Sequence, residues 1–141
     1  MRVRLAEAFL ARLPLRIAVR HALAERRETF NLIVRLVDDR GNEGWGEGVP
    51  RPYVTGENPD DSFAALTGAL LPRLRGFSVP GPGELLPALE ELLPDEPGTQ
   101  SSRCAVELAL LDLAGKAFGR TAAAWLGGLA RETVRYAGVL P

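Results

Sequence analysis

Gly44-Trp45-Gly46-Glu47-Gly48-Val49-Pro50-Arg51-Pro52-Tyr53-Val54-Thr55-Gly56-Glu57 is the stretch whose reading decides the fold. A strand here carries Glu43, Trp45, Glu47 and Val49 on one face, because side chains alternate along a strand. The other face holds Gly44, Gly46 and Gly48 and is bare. Such a face lets a second backbone or a ligand approach closely. The strand runs into a loop paced by prolines that carries Tyr53, Thr55 and Glu57. Loops held on a rigid scaffold are where small molecules are commonly met, so this loop is a candidate contact site.

Upstream, Asp38 to Asn42 is a turn rich in residues that tolerate positive φ. Phe30 to Val37 precedes it as a second strand, with Phe30, Leu32, Val34 and Leu36 on one face. Val3, Leu5, Phe9 and Leu13 share one parity. They predict a first strand with that face buried, ending near Pro14. Pro14 to Glu28 lacks periodicity, holds Arg16, Arg20, His21, Arg26 and Arg27, and reads as an exposed loop.

Downstream the signals turn helical. Asn58 followed by Pro59, Asp60 and Asp61 is an N-cap, a first-turn proline and first-turn acids. That helix is expected to run to about Leu74 or stop near Pro72. Gly76 to Gly83 reads as a loop, Glu84 to Leu93 as a second helix and Asp95 to Thr99 as a linker. Ser101 to Phe118 reads as a long helix with Arg103/Glu107 and Asp112/Lys116 as i,i+4 pairs, stopped by Gly119. It is apolar nearly all round, which implies burial on most faces. Thr121 caps a short helix ending at Gly127-Gly128, and Thr133 to Leu140 reads as a last strand. The fold class is therefore α+β: a three-stranded antiparallel meander followed by a bundle of three to four helices.

The chain has 141 residues, 46% hydrophobic and 25% charged, the composition of an ordinary globular domain. Its 17 basic and 18 acidic residues give a net charge of −1, which argues against a nucleic-acid partner. Cys104 is alone, so no intrachain disulfide or cysteine-based zinc site is available. No apolar run reaches membrane-spanning length and the start lacks a signal-peptide pattern. A cytoplasmic protein is expected. Lys116 is the single lysine and His21 the single histidine.

The ordered set of motifs resembles the N-terminal capping domain of the enolase superfamily, of the mandelate racemase/muconate lactonizing type, closest to dipeptide epimerases. Gly44 to Glu47 with Val54 to Glu57 is similar to that branch's third strand and following loop. Ala105 to Asp112 with Gly115-Lys116 is similar to its long cap helix. Leu126-Gly127-Gly128 and Val134 to Ala137 are similar to the approach to its barrel. The resemblance implies a capping domain over residues 1–130, with 131–141 beginning a (β/α)8 barrel. In that family the barrel supplies paired lysines and three Asp/Glu ligands for Mg2+, and the reaction begins by abstracting a proton next to a carboxylate. No Lys-x-Lys and no such carboxylate triad stand in this sequence. The resemblance thus implies no catalytic residue and no metal ligand here, with Mg2+ belonging to the complete enzyme. The implied function is that of a specificity cap for a racemase or epimerase of dipeptides or N-acyl amino acids. The implied partners are a small carboxylate substrate and a barrel domain in cis or in trans. A non-catalytic domain that binds a small ligand or forms a homo-oligomer is the alternative.

Two cap loops are implied to face substrate, here Pro14 to Glu28 and Pro50 to Asn58. Arg20, in Ala18-Val19-Arg20, stands where a dipeptide epimerase shows an arginine able to grip an acidic group bidentately. His21, Tyr53 and Thr55 complete the candidate substrate-binding set. Against these stand structural readings. Glu47 is expected in an ion pair with a loop arginine, and Glu57 as a loop-to-helix acceptor. Cys104 is expected in the core, where a free cysteine packs as a small hydrophobe, and Trp45 and Trp125 are expected as packing residues.

Overall fold

A computed structural model describes residues 1–21, 24–93 and 96–136. Three antiparallel strands, β1 (Val3–His21), β2 (Ala24–Asp38) and β3 (Glu43–Gly48), form one sheet in the order β1-β2-β3. Five helices follow: α1 (Pro59–Ala65), α2 (Leu71–Leu74), α3 (Leu85–Leu92), α4 (Gln100–Phe118) and α5 (Ala122–Trp125). A π-helical turn over Leu66–Leu70 joins α1 to α2, so the chain stays helical to Leu74. Asn58 caps α1 by accepting from the Asp60 amide at 2.9 Å. Gly119 ends α4 in the left-handed region at φ 64°, where glycine avoids a Cβ clash.

The core lies between the sheet and the helices. Leu32, Val34 and Leu36 of β2 are fully buried against Val106, Leu110 and Leu113 of α4, as the strand's parity predicts. The glycine face of β3 receives α4 itself. A Cβ built on Gly46 would lie 2.0 Å from the Ala105 carbonyl oxygen, and one on Gly48 would lie 1.9 Å from that of Ser101. The bare face therefore serves backbone approach, one of the two uses expected of it.

Two expectations about β1 are overturned. Val3 is buried, but so is Ala6, and Ala8 and Leu10 pack against the core while Phe9 and Leu13 are exposed. The register slips between Val3 and Leu5. One inserted residue reverses the parity of everything after it. The second correction concerns residues 14–21 and 24–28, which form strand where a loop is expected. The strands continue as a two-stranded arm, with Val19 opposite Arg26 and Arg20 opposite Glu25 beyond a second irregularity at Pro14/Val19. Ion pairs Arg12–Glu28 and Arg20–Glu25, both 2.7 Å, cross the arm and supply register where apolar alternation is missing.

The β2–β3 turn is organised by Asp38. Its carboxylate accepts from the Arg40 and Asn42 amides at 2.9 and 2.8 Å and from the Asn42 side chain at 2.8 Å. Burial alone would push this carboxyl's pKa up, yet the Asn42 and Arg40 donors hold it below the ordinary value. Residues 133–136 form no strand, and the rest of the strand expected to Leu140 lies outside the described residues.

Candidate functional site

Two of the concave regions beside the sheet hold residues singled out in the sequence. The first is a cleft of about 250 Å³ between the β1–β2 arm and the loop after β3, lined by Arg26, Thr29, Phe30, Arg51, Tyr53 and the surrounding prolines. Strand pairing places Arg26 opposite Val19 on the arm. A tight turn places Arg51, because its carbonyl accepts from the Val54 and Thr55 amides, each at 2.9 Å. The Arg26 guanidinium stands over the Tyr53 ring, 5.9 Å from its centroid, within the range of a cation–π contact.

The candidate residues separate when placed on this frame. Tyr53 lines the cleft, whereas Arg20 and Thr55 lie outside its lining. Arg20 sits on the exposed arm and donates to Glu25 at 2.7 Å, with Glu25 also held by Arg27. Thr55 spends its hydroxyl on the turn, donating to the Arg51 carbonyl at 3.3 Å. The His21 backbone pairs with Ala24, and its side chain lies outside the described residues. Arg26 and Arg51, absent from the sequence-based set, are the cations that face the cleft. Arg51 between two prolines was the available signal. Arg26 was hidden because its segment reads as loop and only strand register gives it a direction.

The second region is a groove of about 840 Å³ between α4, α5 and the outer edge of β3, lined by Ile33, Trp45, Leu108, Leu111 and Lys116 among others. Trp45 and Leu108 are 45% and 46% exposed, so the long helix is uncovered along this side. Its side chains here occupy the free backbone groups of β3. Lys116 Nζ donates to the Glu43 carbonyl at 2.7 Å, Asp112 accepts from the Trp45 amide at 2.8 Å, and Cys104 Sγ donates to the Glu47 carbonyl at 3.6 Å. This set accounts for the solitary lysine as a structural group.

Cys104 is therefore exposed rather than a core residue. On a helix apolar all round, composition does not say which side the sheet leaves open. Partial burial raises the Cys104 thiol pKa, with Glu107 and Glu47 adding to it. Since the thiolate is the nucleophile, iodoacetamide at pH 8 should alkylate Cys104 more slowly in the folded chain than in urea. Equal rates would show the thiol to be unperturbed. Glu47 is also corrected: it accepts from the Asn31 side-chain amide, not from a loop arginine. Glu57 is an acceptor as expected, but its helix is α4, whose Ser101 amide donates to it at 3.0 Å. Trp125 packs against the core and donates its indole N–H to the Pro82 carbonyl at 2.8 Å. On the sheet's outer face Arg35 bonds Glu43 and Glu7 and lies 5.7 Å from the Trp45 centroid. These partners hold the Arg35 pKa above its ordinary value.

Among the described residues no three of His, Cys, Asp and Glu converge as metal ligands. The residues present thus do not fit an Mg2+ site, and no step is derived through one. No helix among them is long and apolar enough to cross a membrane.

No family model matches the chain. Individual relatives do. It is 36% identical over 104 residues to the L-Ala-D/L-Glu epimerase of Bacillus subtilis, covering 74% of this chain and 27% of that protein. It is 32% identical over 131 residues to the N-succinylamino acid racemase of Thermus thermophilus, covering 92% and 34%. A solved dipeptide epimerase from Methylococcus capsulatus, complexed with Mg and the dipeptide L-Arg-D-Lys, superposes with a TM-score of 0.75 at 30% identity, over 90% of this chain and 35% of that one. The chain thus spans about a quarter to a third of the length of the relatives it matches. The matches fall on their N-terminal region, with its three-stranded antiparallel sheet followed by helices. The chain belongs to the enolase superfamily, in its mandelate racemase/muconate lactonizing branch, and its homologues are dipeptide epimerases and N-succinylamino acid racemases.

Proposed function

We propose that this chain is the substrate-specificity cap of an Mg2+-dependent racemase or epimerase that abstracts the proton α to a carboxylate. The substrate is a dipeptide or an N-acyl amino acid, and the site of action is cytoplasmic. Residues 1–130 form the cap and 131–141 lead toward the barrel. The observation that carries this reading is the match to the Thermus thermophilus racemase over 92% of this chain but 34% of that protein. The similarity falls on a region that resembles the cap. The sequence also offers a single lysine, Lys116, which is bonded to Glu43 and Asp112. The barrel, in cis or in trans, supplies the acid–base groups and the metal site.

In this reading the cap's own contribution is positional. The arm and the Pro50 to Asn58 loop cover the substrate and exclude water, which strengthens every polar contact beneath them. Tyr53 supplies a wall, and Arg20, His21 and Thr55 stand on the same two segments. Their hydrogen-bond partners, Glu25 for Arg20 and Arg51 for Thr55, would have to exchange for substrate.

A second reading, a self-associating domain without catalytic function, is favoured by the exposed Trp45 and Leu108 over the α4 groove. One experiment separates the two. The chain is mixed with the barrel portion of a dipeptide epimerase and Mg2+, and epimerisation is followed by polarimetry while light scattering reads the mass. Activity that needs both chains is expected. Silence with every barrel tried, together with a homodimer by light scattering, would replace the cap reading with the second.

A further inference from the structure

The outer margin of β3 is filled by side chains of α4. The outer margin of β1 is open among the described residues and has two bounds. At one end Val3 is taken, since its amide donates to the Phe77 carbonyl at 2.9 Å and its carbonyl accepts from Gly76 at 3.1 Å. At the other end Pro14 has no N–H to donate, and the β1–β2 register breaks between Pro14 and Val19. Residues 5–13 between these bounds pair regularly with β2. They hold neither lysine nor proline, the residues that commonly blunt a sheet edge. Their two charges are tied to the rest of the sheet: Glu7 accepts from Arg35 at 2.8 Å, and Arg12 donates to Glu28 at 2.7 Å. On the face turned away from the helices, Phe9 and Leu13 stand 47% and 46% exposed.

We propose that this margin pairs antiparallel with the same margin of a second copy, about a twofold axis at Phe9. The two bounds lie symmetrically about Phe9, which an isologous contact requires, because residue i meets j and j meets i. Phe9 then faces its own counterpart, Leu5 faces Leu13, and Glu7 faces Ala11. Apolar pairs occupy the centre and both ends, and no like charges stand opposite each other. Centring the axis on Ala8 instead would set Leu13 against Val3, whose margin Phe77 already occupies. Centring it on Leu10 would draw Pro14 into the ladder. Nine residues a side is fewer than the ~20–30 of a standard interface, so the pair is a weak one, with Kd on the order of 10 µM or weaker. The pairing rests on the sheet and not on the cap reading, and it leaves the α4 groove open.

The test is sedimentation equilibrium of the whole chain from about 5 µM to about 1 mM. A monomer–dimer equilibrium is expected, and a monomer throughout would overturn the proposal. This first measurement needs no variant, so a substitution that unfolds the chain does not remove it. Phe9→Lys sets two ammonium groups against each other on the axis and should weaken the pair by about tenfold or more. Leu108→Lys, on the uncovered side of α4, should leave the pair unchanged. The reverse pattern would assign the contact to the α4 groove and overturn the proposal. Oxidative cross-linking in a Cys104→Ser background reads the register. Phe9→Cys should form an interchain disulfide, because directly opposed Cα atoms lie ~4.5–5.5 Å apart. Ala11→Cys should not, since an offset of four residues holds its two copies about 13 Å apart. Equal cross-linking of the two variants would overturn the register and with it the proposal. Complementation by a barrel that fails while the pair forms would remove the cap reading alone. Complementation that succeeds while the chain stays monomeric would remove this one alone.

Discussion

Gly46→Val should be among the most damaging single substitutions, with an expected loss of at least about 3 kcal/mol. The first added carbon would meet the Ala105 carbonyl oxygen at 2.0 Å and the Ala109 nitrogen at 2.4 Å. Both are backbone atoms of α4, so no rotamer change relieves the clash. Either the helix moves off the sheet or β3 leaves it, and both expose Val106 and Leu110. Domains of this size are held by only ~5–15 kcal/mol, and a loss of 3 kcal/mol lowers Tm by roughly 10 °C. Gly68→Ala is the matched control, since an added Cβ there meets nothing within 4 Å. It should be neutral or slightly stabilising, because alanine is the better helix former. A thermal melt of Gly46→Val within 2 °C of the parent would mean that α4 does not rest on β3 as described.

Glu57→Ala should cost about 2–3 kcal/mol. Glu57 is 3% exposed and receives both the amide and the hydroxyl of Ser101 in the first turn of α4. Thr99, at the cap position, makes no side-chain bond to the helix. Glu57 is therefore the cap of α4, delivered from 44 residues away, and its negative charge faces the positive end of the helix dipole. Removing it strands a buried amide. Glu57→Gln keeps an acceptor without the charge and should lose about half as much. Urea unfolding should show a lower midpoint at unchanged slope, the signature of lost stability in an unchanged fold. An unshifted midpoint would show that water or Thr99 takes over the cap. The same variant should loosen the Pro50 to Asn58 loop, because Glu57 ties its far end to the core.

How much of this was legible in the sequence depended on whether a local signal existed. Asn58-Pro59 stated its helix start in the chemistry of two residues, and three alternate glycines stated a close approach. The parity of β1 failed because the slip at Val3/Leu5 leaves no mark: Arg4 looks like any strand residue. The arm failed for a different reason. Its cohesion comes from charges such as Arg12 and Glu28, 16 residues apart, while a periodicity reading weighs apolar residues only. Cys104 was misplaced because α4 offers no polar stripe to mark its open side. At the site, Tyr53 was legible as part of a proline-ruled loop. Arg26 was not, since only strand pairing turns it toward the cleft.

The side chains of Cys104, Asp112 and Lys116 along the margin of β3 have an outcome for assembly. A foreign strand docking there would have to displace a lysine, an aspartate and a thiol already bonded to the backbone. Beyond Val3, the opposite margin along β1 has no backbone partner other than β2 among the described residues. The sheet can thus be templated from one direction only. Stacking that continues indefinitely needs two receptive margins per copy, so any edge-to-edge pairing between copies of this chain would stop at a pair.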